Sequence, residues 1–484
     1  MNLIKNIYFR ISSNVIIAFM GVITSFFVVR SFGAEVIGII AFYMSIIGVM
    51  TCVCDLGLSN TYIKFIADDK YDEKDVMATY FFLKLLLMIT YIVSCLMYVY
   101  LINEGMDQKL ILIFFTSFLL ANGIQSPLLD ICRARREFKI ISIVEVTSNI
   151  IIFIYTIIIC LYFQSMYLIA LKYLLLYSLQ ISLLLVYLAR CKSLHIRLPN
   201  NHLVKSFFRY ARPLALSAFI TKIMANADKL ILGNLIGMKE LGFYDIAKRL
   251  FSPVDMLIKP VTTTLFPELL KRMHTSQTFF YNEFREITQT LTCIASLISI
   301  CLVFLSKPVV ELLYGIENIR AAIILSFFSG ICITKLLFRP YHHLIYGLEL
   351  QTIFPYIALF SNIIKLLGYI LLIPLKIDNT CIGAIAIPLT NTFIWFFPGG
   401  VIIFNKIKHI YHNTHIFETI IKIILPLLLL LYIAYLLNFY FYLFPFVLII
   451  FLLIQIQLKV ITNYKMKKIF NPLLVYFEMR KIRS

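Results

Sequence analysis

Residues 28–43 read VVRSFGAEVIGIIAFY, and residues 233–248 read GNLIGMKELGFYDIAK. In both, a long apolar run stops at a glycine, four residues holding one Glu follow, and a second glycine opens the next apolar run. Gly33 and Gly38 punctuate the first copy, Gly237 and Gly242 the second, and each later glycine lies 204 positions after its counterpart. A tight turn between two long apolar helices, written twice, points to a chain that crosses a membrane repeatedly and duplicates its plan.

The rest of the chain fits that reading. Of its 484 residues 61% are hydrophobic and the mean hydropathy is +0.89, whereas apolar residues make up a little under half of a soluble protein. Apolar runs centred near residues 21, 45, 89, 120, 152, 177, 225, 254, 298, 331, 363, 392, 428 and 450 are each long enough to cross roughly 30 Å of hydrocarbon as a helix. The expectation is an all-α polytopic membrane protein with about 14 transmembrane helices and no soluble domain between them. The first run, residues 11–32, is longer than the apolar core of a secretory signal and lacks a cleavage pattern, so it reads as a retained helix. The ten Cys lie mostly inside apolar runs, as Cys160, Cys301 and Cys332 do, where thiols act as small hydrophobes. Cys52 and Cys54 have no second pair at ligand spacing, which supports neither a zinc site nor a disulfide frame.

A net charge of +19 on so little solvated sequence excludes a nucleic-acid surface. The charge follows topology instead. Lys and Arg gather in every second connection, at Arg133–Lys139, Arg190–Arg212, Lys271–Arg285 and Lys406–Lys408, and in the tail after Lys459, as the positive-inside rule expects of cytoplasmic loops. Both termini are then cytoplasmic, which an even helix count requires. Because six is even, helices one to six and seven to twelve enter from the same side and form a parallel repeat. The expected plan is a six-helix lobe over 1–190, a second over 203–404, two further helices within 419–461, and a basic tail over 462–484 lying on the lipid surface.

The stretch from Tyr210 to Lys271, with ADKLILG at 227–233, LGFYDIAKRL at 241–250 and TLFPELL at 264–270, resembles the O-antigen (Wzx-type) polysaccharide flippases. These belong to the multidrug/oligosaccharidyl-lipid/polysaccharide exporter superfamily, and the two-lobed plan is similar to that of its multidrug members. The first copy has IIAFY where the second has YDIAK, so the halves are not equivalent. The resemblance implies a substrate, an oligosaccharide on undecaprenyl pyrophosphate, carried to the periplasmic leaflet of a bacterial inner membrane by alternating access. It also implies other polysaccharide-assembly membrane proteins as partners, and no cofactor.

Ionisable side chains deep in a bilayer are costly and normally face a cavity. With helix seven entering near Pro213, Lys222 lies about 13 Å in, near the midplane. Lys222, Asn226, Lys229 and Gly233 share one helix face, and Asp228 adjoins it as a partner for Lys229 or for a residue across the cavity. Helix eight repeats the pattern with Asp245, Lys248, Arg249, Ser252, Asp255 and Lys259. Lys365 is as deep as Lys222, and Lys335 is intermediate. The substrate-binding candidates are therefore Lys222, Asn226, Lys229, Lys248, Arg249, Lys335 and Lys365, since a basic cavity suits a diphosphate. Asp228 and Asp245 are the candidates for coupling to H+ or Na+. Lys84, Lys172 and Arg30 are near enough to helix ends to reach the interface. His409, His412 and His415 lack carboxylate or Cys support and read as a solvated loop rather than a metal site.

Two other classes compete. An exporter of a soluble amphiphile would present acidic groups to cationic drugs. A glycan polymerase would need acid–base or metal-binding groups on sizeable outside loops, and these loops are short.

Overall fold

The computed structural model describes residues 2–66, 71–101, 108–191, 201–254, 277–347, 354–377, 380–381, 383–394, 418–436, 443–458 and 460. The apolar runs become helices because lipid offers the backbone no hydrogen-bond partners, so each span must satisfy its own N–H and C=O groups. The protein is an all-α polytopic membrane protein. Seven helices among the described residues are long and apolar enough to cross a bilayer, and three shorter apolar helices lie at 359–372, 420–432 and 444–457.

The chain packs as two compact units, Met1–Pro253 and Val254–Ser484. The first holds α1 (Asn2–Met50), α2 (Leu58–Ile66), α3 (Glu73–Leu101), α4 (Gln108–Leu119), α5 (Ser126–Ala134), α6 (Phe138–Ile158), α7 (Met166–Arg190) and α8 (Asn201–Leu235), with α9 over 238–254. The packing boundary falls after α9, because α8 lies against α1, α2 and α3. Boundaries of packing and of repetition need not coincide.

Within this unit the repeated glycines take two distinct roles. Gly33 interrupts α1 with φ +77° and ψ 174°, a conformation open essentially to glycine alone, and so separates the first two spans without a loop. Gly237, at φ +126°, does the same between α8 and α9. The second glycine of each copy serves close approach. A Cβ on Gly38 would stand 1.8 Å from the Met238 carbonyl oxygen, and a Cβ on Gly242 would stand 1.8 Å from that of Ala34. Ala34 and Met238 are themselves 204 positions apart. Each turn therefore rests on the other through equivalent atoms, the reciprocity of a two-fold contact.

The second span is discontinuous. After Met50 come a 3-10 turn, Thr51–Cys54, and two left-handed residues, Leu56 at φ 43° and Gly57 at φ 78°, before α2 resumes. Irregular backbone at such depth is tolerated only where protein or a cavity satisfies it. Elsewhere π-helical turns, Leu120–Gln125 and Ile159–Phe163, link α4 to α5 and close α6. Tyr62, Tyr80, Leu129, Leu184 and Phe207 anchor an apolar core among α2, α3, α5, α7 and α8. On α3 the stripe Phe82, Leu85, Leu86, Ile89, Val93, Leu96 and Met97 is exposed, the face a membrane helix turns to lipid.

The second unit pairs α10 (Gln277–Tyr314) with α11 (Ile319–Gly347) across a turn at Gly315, φ 89°. α12 (Phe354–Leu372) and α13 (Ala386–Ile394) follow, separated by a two-residue antiparallel ladder, Lys376–Ile377 against Thr380–Cys381. Finally α14 (Leu425–Leu436) and α15 (Phe444–Gln457) pack together, Ile423, Leu427 and Phe451 joining Ile300 and Phe304 in one core.

Candidate functional site

α8 is absent from the seven apolar spans because polar residues recur along it. Lys222 donates to the Thr51 carbonyl at 2.9 Å, in the 3-10 turn that follows α1. A cation there also answers the negative end of the helix dipole. Asn226 returns a hydrogen bond to the Lys222 carbonyl at 2.8 Å, and its amide lies about 3 Å from where a Cβ of Gly48 would be, so the stripe faces α1.

One turn further along, α8 and α9 exchange charges. Lys229 meets Asp245 at 2.6 Å and Arg249 meets its other oxygen at 2.7 Å, while Lys248 meets Asp228 at 2.8 Å. Asp228 also accepts from the Tyr244 hydroxyl at 2.6 Å and from the backbone N–H of Lys229. Adjacency therefore gives Lys229 only a backbone contact with Asp228. Its ammonium crosses to the next helix, because consecutive residues on a helix do not face each other.

The two carboxylates are 5% exposed, whereas Lys248 is 38% and Arg249 29% exposed. Buried anions thus form a floor on which partly open cations are held in place. Lys172 of α7 joins them. It is 8% exposed, its ammonium sits 5.1 Å from the Tyr173 ring centre, and the charges of Arg249 and Asp245 act on it. Lys229, Lys248 and Arg249 oppose Asp228 and Asp245, one positive charge in excess among these five, with the Lys172 amine buried beside them. Asp228 and Asp245, expected as ion-coupling groups, are both engaged by cations of this cluster.

The expectation that Lys84 and Lys172 reach the interface is overturned. Lys84 is 2% exposed and binds Asp55 at 2.5 Å, with the Cys54 carbonyl at 3.4 Å. The break in the second span creates a buried partner that distance from a helix end does not reveal. Arg30 is exposed and lies over the Phe26 ring at 4.9 Å. Lys335 and Lys365 belong to the other unit, on α11 and α12. Lys365 lies 5.4 Å from the Tyr369 ring centre. Asp255, Lys259, His409, His412 and His415 fall outside the described residues, as does the tail from 461. Among the described residues no three His, Cys, Asp or Glu side chains gather as metal ligands would. The signal that could have exposed Asp55 is the run CDLGLS at 54–59, an Asp and a Gly interrupting an apolar span.

Residues 3–273, more than half the chain, match the family model described as polysaccharide biosynthesis protein. The chain belongs to that family. A curated relative, the teichuronic acid biosynthesis protein TuaB of Bacillus subtilis (strain 168), is 25% identical over 138 residues, 28% of this chain and 28% of the relative's length. Among solved structures, the lipid II flippase MurJ in an inward closed conformation superposes with a TM-score of 0.71 at 14% identity, over 97% of this chain and 100% of that one. An inward-facing multidrug-resistance transporter of the MATE family gives 0.61 at 13% identity, over 82% and 96%. The family match places the chain in its family, and the two structural likenesses show the shared fold.

Proposed function

We propose that the chain is a transporter, not an enzyme, that moves a lipid-linked oligosaccharide, an O-antigen-like unit on undecaprenyl pyrophosphate, from the cytoplasmic to the periplasmic leaflet of a bacterial inner membrane. The observation that supports this reading is the cluster of three cations over two buried carboxylates, with Lys172 beside it. A net positive, partly open cluster inside apolar helices suits a diphosphate, whose oxygens accept charge-assisted hydrogen bonds from ammonium and guanidinium groups. Lys222 lies on the same face of α8, and in the second unit, taken by itself, Lys335 and Lys365 are separate substrate-binding candidates. The counter-charge moved in exchange is H+ or Na+, and other polysaccharide-assembly proteins receive the product.

The excess of cations makes the reading testable without dismantling the site. Arg249→Gln leaves Asp245 with Lys229, and Lys172→Gln strands no carboxylate, so membrane abundance should hold in both. Each lost contact removes about 1.5–3 kcal/mol, roughly ten- to a hundredfold in affinity. Surface polysaccharide in a strain lacking the chromosomal copy should fall accordingly. Normal polysaccharide from the double variant would overturn the headgroup role of this cluster.

The orientation is checked separately. Reporter fusions at Asp72 and Pro199 should read cytoplasmic and one at Gly237 periplasmic. A periplasmic signal at Pro199 would break the parallel-repeat plan.

A further inference from the structure

A second polar array in the first unit has no part in the cluster just described. Arg133 binds Asp130 at 2.7 Å. The Tyr80 hydroxyl donates to the other Asp130 oxygen at 2.6 Å. Ser59 Oγ lies 3.3 Å from Tyr80 Oη and donates to Asp55 at 2.5 Å, the carboxylate that also holds Lys84. At about 1.5 Å per helical residue, Asp130 lies roughly 6 Å from the end of α5 at Ala134 and Tyr80 roughly 10 Å from the start of α3 at Glu73. Asp55 stands above the nine residues of α2, roughly 14 Å in. The groups climb in order from the basic connection at 133–139 to mid-depth, through a core in which Tyr80 and Asp130 are fully buried.

The hydrogens are arranged in an informative way. A Ser and a Tyr hydroxyl have one proton each. Ser59 spends its proton on Asp55 and Tyr80 spends its own on Asp130, so the contact between the two hydroxyl oxygens carries none. Two ion pairs kept only for stability have no need of hydroxyls placed back to back between them.

We propose that Asp55, Ser59, Tyr80 and Asp130 form a proton relay between mid-depth and the basic mouth, through which transport is coupled to protons. This rests on the reading of the chain as a transporter. A hydronium ion reaching Asp55 gives it a proton, leaving water, and the protonated Asp55 no longer needs the Ser59 hydrogen, so the Ser59 hydroxyl turns its proton into the 3.3 Å gap toward Tyr80 Oη. Asp55 passes that proton to Ser59 Oγ, the Ser59 proton moves to Tyr80 Oη, and the Tyr80 proton moves to Asp130 Oδ2. One O–H bond forms and one breaks at each hydroxyl, so both stay neutral, and the net change is one hydronium consumed and Asp130 protonated. Rotation of the hydroxyls resets the line. Lys84 and Lys222 face Asp55, and Arg133 faces Asp130. Tyr62, stacked on Tyr80 at 4.5 Å, lies within reach of the charges of Glu73 and Arg135, which pair with each other at 2.7 Å.

The test is infrared difference spectroscopy of the full-length protein in phospholipid vesicles, stepped from mildly alkaline to mildly acidic pH without cargo. A carbonyl stretch of a buried carboxylic acid should appear and be lost in Asp130→Asn. Its rise after the pH step should slow at least tenfold in Tyr80→Phe and in Ser59→Ala, while Ser59→Thr, which keeps the hydroxyl, should match the parent. A missing band, a band that survives Asp130→Asn, or equal rates in Ser59→Ala and Ser59→Thr would overturn the relay. Surface polysaccharide in cells reports on transport independently. Normal dependence of polysaccharide on the chain with no relay band would remove only the relay, whereas a relay band with polysaccharide independent of the chain would remove the transport reading and the coupling with it.

Discussion

Gly38→Ala and Gly242→Ala should each strip most of the protein from the membrane, and far more so than alanine at Gly33 or Gly237. The added Cβ at the first two would stand 1.8 Å from a backbone carbonyl oxygen, Met238 in one case and Ala34 in the other. Carbon atoms pack at roughly 3.5–4.0 Å, so one helical turn must move by more than an ångström, and no side-chain rotamer can relieve a clash with backbone. Overpacking costs about 1–3 kcal/mol even where side chains can yield. At Gly33 and Gly237 nothing lies within 4 Å of the added carbon, and the penalty is conformational strain alone, of order 1–3 kcal/mol. Membrane abundance and thermal stability in detergent would rank the four. Equal abundance for Gly38→Ala and the parent would mean that the reciprocal contact of the two turns is not formed.

The second large effect is expected at Asp245. Asp245→Asn withdraws the anion from Lys229 and Arg249 together, and removing one side of a buried pair costs about 3–5 kcal/mol because the remaining charge is left uncompensated. Protein level should fall sharply. Adding Lys229→Met, which removes the more buried of the two cations, should recover much of it, since Arg249 is 29% exposed and keeps access to polar surroundings. Asp245→Asn at normal abundance, with transport lost, would mean that the carboxylate serves ion exchange instead of anchoring the stripe.

How far each residue was legible depended on whether its environment is local. Helices could be read from apolar runs alone, because in lipid the backbone has no alternative. The face shared by Lys222, Asn226 and Lys229 follows from helical periodicity. Gly33 and Gly237 could be recognised as turns for the same reason, since a glycine that ends an apolar run is a property of its own neighbours. Gly38 and Gly242 differ, because their meaning lies in a segment some two hundred residues away.

The amino-acid sequence by itself therefore determined that the chain is a helical, polytopic membrane protein with charges placed along α8 and α9. Which charge meets which was decided only in three dimensions. Lys229 turns from its neighbour Asp228 to Asp245 because adjacent helical residues diverge. Lys84 and Lys172 stay inside because the interrupted second span and the α8–α9 hairpin bring charged groups to them. Depth follows from counting residues along one helix, but an ion pair needs two helices, and their register is set by packing across the core.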